Sequence, residues 1–332
     1  MLGRDEGGRE PIADAPDLPT GLVAPKRSEG GGKPTPPAPG DENCCCHNQF
    51  GMDDRGKGRL NFQIKRMASI KTAKEIWIEQ LDCELFRYCG PIFVAPALNS
   101  YPEQMIGSGT YALIDTGKRR LLVTCCHILD EYEKHHDANS GAILAISLGD
   151  GNSCVAFTNP KKHLVSIDRD LDLVVLEFEP EEIKVSHKKS WFEISDWPIP
   201  TIEKGDHIVT LGFPGAWRKT AGVKCVFGRV VIPFAVTDVS KYAIAAFSDE
   251  KNEQVLNDMK NSLGGISGSP AYRLNKNREL CLVGFAKLGV EKEDASNRKY
   301  QTSPNSTLPA VFFTHANFLR PDGSLTHASG DL

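Results

Sequence analysis

From about Cys89 to the end of the chain, short runs of β-branched, aliphatic and aromatic residues alternate with clusters of Gly, Pro, Asn and Asp. Runs this short, punctuated by turn formers, have the pattern of an all-β sandwich or barrel and leave little room for long helices. They lie at Thr110 to Ile114, Arg120 to Cys125, Ile143 to Leu148, Leu171 to Phe178, His207 to Phe213, Val223 to Phe234, Tyr242 to Phe247, Leu280 to Lys287 and Ala310 to Thr314. One acid-rich stretch, Ser248 to Lys260, breaks the series as a short helix or mobile loop ahead of the most Gly-rich turn. With 40% hydrophobic residues in 332, the chain has apolar material for one large core or two modest ones.

The N-terminal part differs. Its first 40 residues hold 8 Gly and 8 Pro, too little apolar surface to offset the entropy of ordering, so 1–43 is expected to be a flexible tail. The extension 44–88 carries Cys44-Cys45-Cys46-His47 and a helix over about Thr72 to Arg87, with Trp77, Leu81 and Leu85 on one face. Adjacent cysteines diverge and the spaced pairs that wrap a tetrahedral ion are missing, so neither a zinc site nor any other metal or cofactor is expected. The ten cysteines form no spaced framework and are read as reduced thiols that pack as small hydrophobes. A net charge of −4 gives no basic excess for nucleic acid, and the sequence has neither a long apolar run nor a secretory h-region. These features imply a cytoplasmic protein without nucleic-acid or membrane partners.

Three segments place a reactive side chain at the end of an apolar strand. Leu121-Leu122-Val123-Thr124-Cys125-Cys126 leads into His127, which at a strand end is either a proton shuttle or a satisfied structural histidine. Asp168-Arg169-Asp170-Leu171-Asp172 runs into Leu173-Val174-Val175-Leu176; Asp172 lies nearest the apolar run, with Asp170 two residues away as the runner-up. A carboxylate there can fix an imidazole tautomer or can be a solvated charge at a strand start. Ser262-Leu263-Gly264-Gly265-Ile266-Ser267-Gly268-Ser269-Pro270 is a turn in which a serine hydroxyl can project while the Gly265 and Ser267 amides face a developing oxyanion.

His127, Asp172 and Ser267 follow one another at separations of 45 and 95, room for several strands in each interval. In this order, together with Gly107-Ser108-Gly109-Thr110, Gly205-Asp206-His207, Leu211-Gly212-Phe213-Pro214-Gly215 and Val283-Gly284-Phe285-Ala286-Lys287-Leu288-Gly289, the sequence over roughly Ile106 to Leu319 resembles the chymotrypsin-like serine proteases. The closest likeness is to the disulfide-free bacterial branch with HtrA-type protease domains. The resemblance implies a protease domain over 89–332, built as two six-stranded antiparallel β-barrels with the site between them. It implies Ser267 as nucleophile, His127 as general base, Asp172 as the group that orients the base, and the Gly265 and Ser267 amides as the oxyanion hole. It further implies substrate contacts at Asn261 and Ser262 on the pocket floor and at Ala286, Lys287, Leu288 and Gly289 along a pocket-wall strand.

Departures from the family pattern carry information. Ile266 stands where secreted members have an acid that pairs with a freed N-terminus, so zymogen cleavage is not expected. Cys125 and Cys126 occupy positions where small residues are common, and Cys126, pointing away from its neighbour His127, is read as packing. Uncharged Asn261 and Ser262 imply no requirement for Lys or Arg before the scissile bond. An ordinary histidine would make activity rise through about pH 6 to 7.5. The expected activity is endopeptidase cleavage of protein or peptide substrates; the competing reading is a protease-fold binding or scaffold module, with the N-terminal region as the meeting place for a regulatory partner.

Overall fold

The computed structural model describes residues 73–96, 105–137, 141–148, 154–157, 159–181, 183, 188–221, 224–248, 264–277, 279–287 and 311–326. The tail, the Cys44 to His47 cluster, and residues 249–260 of the acid-rich stretch lie outside them, as do Asn261, Ser262, Leu288 and Gly289. The expected helix is present as α1 (Ala73–Tyr88), within the same compact unit, Gly58–Leu332, as the strands. Strands follow in chain order as β1 (Cys89–Ala95), β2 (Gly107–Asp115) and β3 (Arg120–Thr124). After helix α2 (Cys126–Asp137) come β4 (Ile143–Ser147), β5 (Cys154–Phe157), β6 (Leu164–Asp168), β7 (Leu173–Glu177) and β8 (Phe192–Glu193). The second half holds β9 (His207–Gly212), β10 (Arg218–Ala221), β11 (Lys224–Phe227), β12 (Val230–Val239), β13 (Ala243–Ser248), β14 (Pro270–Leu274), β15 (Leu280–Ala286) and β16 (Val311–His315).

The fold is mostly β, with a closed barrel in the second half and a curled sheet in the first. The barrel has six strands in the order β12-β13-β16-β15-β14-β9, every pair antiparallel. The first half is a curled half-barrel sheet, consistent with the double-barrel all-β fold implied by the resemblance. It is an eight-stranded sheet in the order β5-β4-β1-β2-β3-β7-β6, with β8 added parallel to β2 at Ile114 and Asp115. Its antiparallel path ends at β5 and β6, which do not pair, so the sheet stays open.

One apolar core joins the halves. Leu85 of α1, Cys89 of β1, Ile114 of β2 and Val123 of β3 pack in the same cluster as Leu211 of β9, Tyr272 of β14 and Phe285 of β15, all fully buried. Each such large aliphatic or aromatic side chain contributes about 1.5–3 kcal/mol on burial. Helix α1 is fastened over this seam by a two-pronged ion pair from Arg229 to Asp82, at 2.6 to 3.0 Å. Leu81 and Leu85 of its expected apolar face are buried, whereas Trp77 is 42% exposed, so the docked face runs through Leu81, Leu85 and Phe86.

Candidate active site

His127 is not at a strand end: it is the second residue of α2, whose first turn starts immediately after β3. Helix N-termini leave amides without partners, and here Asp172 satisfies two of them from 45 residues away. The Cys126 N–H donates to the Asp172 carbonyl at 3.3 Å and the His127 N–H to its Oδ1 at 3.2 Å. The same carboxylate takes the His127 ring, with Nδ1 at 3.0 Å from Oδ2 and 3.3 Å from Oδ1. A carboxylate in this position makes Nδ1 a protonated nitrogen.

Asp172 reaches this position through an unusual backbone. Its φ of +54° is the only positive value among described residues other than glycine, a left-handed conformation that Asp tolerates better than most. The turn is shaped by Asp168, whose Oδ1 accepts the N–H groups of Asp170 and Leu171 at 3.0 and 2.9 Å. On the far side Thr314 of the barrel donates its hydroxyl to the Leu171 carbonyl at 2.7 Å. Asp170, the runner-up, is exposed; its carbonyl accepts the Lys287 ammonium at 2.5 Å.

The Gly264 to Gly268 turn is seated directly on β2. The Thr110 N–H donates to the Ser267 carbonyl at 2.8 Å and the Thr110 hydroxyl to the Gly265 carbonyl at 2.6 Å. Two glycines permit this approach. Gly265 has φ +102° and a Cβ there would lie 2.3 Å from the Phe213 carbonyl oxygen; Gly268 has φ +85° and a Cβ would lie 2.2 Å from that of Thr110. Ile266, in the place of the family's acid, is buried in the barrel core against Gly212. Among the described residues, the Gly265 and Ser267 N–H groups have no hydrogen-bond partner although both residues are buried. Buried amides are seldom left unpaired, and donors held in this way suit an oxyanion or other anionic oxygen.

Gly109 ties the two parts together: a Cβ on it would stand 3.0 Å from Ile128 of α2 and 3.1 Å from the Ser267 carbonyl oxygen. The turn and the helix bearing the imidazole therefore flank one residue of β2. The Ser267 hydroxyl makes no hydrogen bond to His127 or to any other described residue. Nε2 instead faces the Cys125 thiol, with Sγ at 3.3 Å. Burial works to lower the affinity of the ring for protons, but the hydrogen bonds to Asp172 and Cys125 outweigh it and push the imidazole up to about 10. His127 therefore titrates on the alkaline side of the pH 6 to 7.5 range of an ordinary histidine.

No family model matches the chain, and a search of curated proteins finds no match.

Cys126 behaves as a packed thiol: its Sγ–H donates to the Leu173 and Asp168 carbonyls at 2.9 and 3.3 Å, and burial, reinforced by Asp172, pushes it up to about 12. None of the seven described cysteines is in a disulfide. Of the expected substrate contacts, Ala286 and Lys287 are described. The Ala286 N–H donates to the Ser269 carbonyl, its own carbonyl accepts from Gly268, and the Lys287 N–H goes to Phe312, at 2.7 to 2.8 Å. These two residues brace the turn and the barrel through their backbone. The residues that sequence reasoning passed over are Thr110, Asp168, Thr314 and Cys125. The threonines carried a signal as polar residues at the ends of apolar runs.

Proposed function

We propose that the chain is a serine endopeptidase. The observation that carries this reading is the Asp172 carboxylate on Nδ1 of His127 at 3.0 Å, next to a turn whose buried Gly265 and Ser267 amides have no partner among the described residues. In the mechanism, Nε2 of His127 takes the proton of Ser267 as its oxygen attacks the peptide carbonyl, and Asp172 holds the resulting imidazolium. The two amides receive the oxyanion, worth about 3–4 kcal/mol for a single donor in such sites. The imidazolium returns the proton to the leaving amine, and a water activated by the same nitrogen hydrolyses the acyl-enzyme. Among the described residues no helix is long and apolar enough to cross a membrane, and the described thiols, none of them in a disulfide, accord with work in a reducing, cytoplasmic setting.

One observation favours the other reading, a protease-fold binding module: Nε2 meets Cys125 and not the Ser267 hydroxyl. Labelling with a fluorophosphonate across pH 6 to 10 separates the two. The expected result is labelling that disappears in Ser267→Ala, with peptide turnover falling about four to six orders of magnitude in Ser267→Ala and His127→Ala. Absence of Ser267-dependent labelling throughout that range supports the binding module.

A further inference from the structure

Cys125 follows β3 and immediately precedes α2, and its side chain is fully buried beneath the imidazole. It does not take part in the mechanism above, yet its sulfur is the only described side-chain atom in hydrogen-bond contact with Nε2. The contact is made where the chain turns from β3 into α2: Cys125 lies between the strand and the helix with its sulfur on Nε2 of His127, while Cys126, the first residue of the helix, is held in the core by the Asp168 and Leu173 carbonyls.

We propose that Cys125 is a positioning residue for the base, its sulfur holding Nε2 of His127 in the resting chain and withholding it from Ser267 until that contact is given up. The proposal deepens the endopeptidase reading and rests on it for its consequence in turnover, but the contact itself is a property of the fold. The groups facing the ring are few. Asp172 comes from the turn before β7 and Cys125 from the end of β3; the described part of the Gly264 to Gly268 turn brings no charged side chain, and the Lys287 ammonium is engaged by the Asp170 carbonyl.

The chemistry of the latch is a matter of one lone pair. With a carboxylate on Nδ1 and a sulfur on Nε2, the protonated ring can donate on both sides, and the upward displacement of His127 to about 10 has this double acceptance as its cause. While Nε2 carries a proton it cannot accept one from a hydroxyl. Sulfur is a weaker hydrogen-bond partner than a carboxylate, and it is this contact, not the one to Asp172, that is given up when a substrate aligns Ser267 with the ring. The smallest change that removes the contact is Cys125→Ala; the side chain lost is small, and Cys125→Ser keeps a hydrogen-bonding atom at nearly the same place.

The test is an NMR titration of the His127 imidazole nitrogens in the full chain, compared between wild type, Cys125→Ala, Cys125→Ser and Cys126→Ala. The expected result is a midpoint at least one pH unit lower in Cys125→Ala, a smaller displacement in Cys125→Ser, and a wild-type midpoint in Cys126→Ala, whose thiol does not face the ring. A midpoint in Cys125→Ala equal to that of wild type overturns the proposal. In parallel, the rate of Ser267-dependent labelling at pH 7.5 is expected to rise at least tenfold in Cys125→Ala, since about tenfold more ring is neutral for each unit the midpoint falls. A lowered midpoint with an unchanged labelling rate also overturns it, because the contact then withholds nothing from Ser267. Absence of labelling in every variant counts against the endopeptidase reading, and the titration still decides whether sulfur holds the ring.

Discussion

Asp172 does three jobs at once, and substitutions that remove them in different combinations test whether the site works as described. Its side chain caps the His127 amide, its carboxylate holds the ring, and its backbone sits at φ +54°. Loss of a side-chain cap on a helix N-terminus costs about 1 kcal/mol, and forcing a residue with a Cβ into the left-handed region costs about 1–2 kcal/mol. Asp172→Ala loses the cap and the polar side chain that eases the left-handed backbone, while the strain of carrying a Cβ there is already present in Asp172, for a total of about 1–2 kcal/mol. Asp172→Gly loses the cap but relieves the left-handed strain, two effects that offset, so it is expected to stay within about 1 kcal/mol of wild type and to be more stable than the Ala variant. Asp172→Asn keeps a capping oxygen and tolerance of the conformation and is expected to be the mildest of the three, all of which also lose the carboxylate's attraction for the protonated His127 ring.

The order in activity differs from the order in stability. Asn is the mildest for folding, yet its amide cannot hold the ring as a carboxylate does, and turnover is expected to fall by about four orders of magnitude. Urea midpoints at pH 7 give the stability series, and fluorophosphonate labelling with peptide cleavage gives the activity series. Asp170→Asn, at an exposed position whose carbonyl and not carboxylate makes the contact to Lys287, serves as the control. Two results would refute the reasoning: an Ala variant no less stable than the Gly variant, which removes the strain argument, or equal activity losses at Asp170 and Asp172, which removes the orienting role.

The turn glycines should separate sharply: Gly265→Ala and Gly268→Ala each place a Cβ within 2.3 Å of a backbone oxygen at positive φ, and both are expected to lose several kcal/mol of stability and all labelling. Gly264→Ala meets nothing within 4 Å and should stay within about 1 kcal/mol of wild type by urea denaturation. Lys189 is buried under α1 with its ammonium donating to the Phe86 and Cys89 carbonyls; burial, assisted by Arg229, pulls it down to about 7. Between pH 7 and its ordinary value of 10.5 the unfolded chain binds a proton that the folded chain does not. Its contribution to stability therefore rises with pH across that window, by up to about 5 kcal/mol. Denaturation midpoints of Lys189→Met should lack this rise, and an identical pH dependence in the two proteins would contradict the assignment.

What could be read from the sequence and what could not divides along physical lines. Strands such as β3, β4, β9 and β15 are apolar runs bounded by turn formers, and the periodicity placed each within a residue or two of its observed limits. The run Val223 to Phe234 was continuous by composition but breaks at Gly228, where a Cβ would lie 2.7 Å from Trp217, into β11 and β12. Helix α2 escaped notice because its cap is not local: Thr124 and Cys125 precede it, while the oxygens that satisfy its first amides belong to Asp172. The same non-locality governs the site. Spacing and chain order single out His127, Asp172 and Ser267, but whether an imidazole nitrogen meets a hydroxyl or a thiol depends on side-chain placement at a seam between two sheets. Cys125 was not legible, because strand alternation ends with β3 at Thr124 and it is the turn into α2 that brings its sulfur to the ring. The junction of β3 with α2 therefore sets the thiol and the ring together, and the contact of Cys125 with Nε2 is where chain geometry and the chemistry of the site coincide.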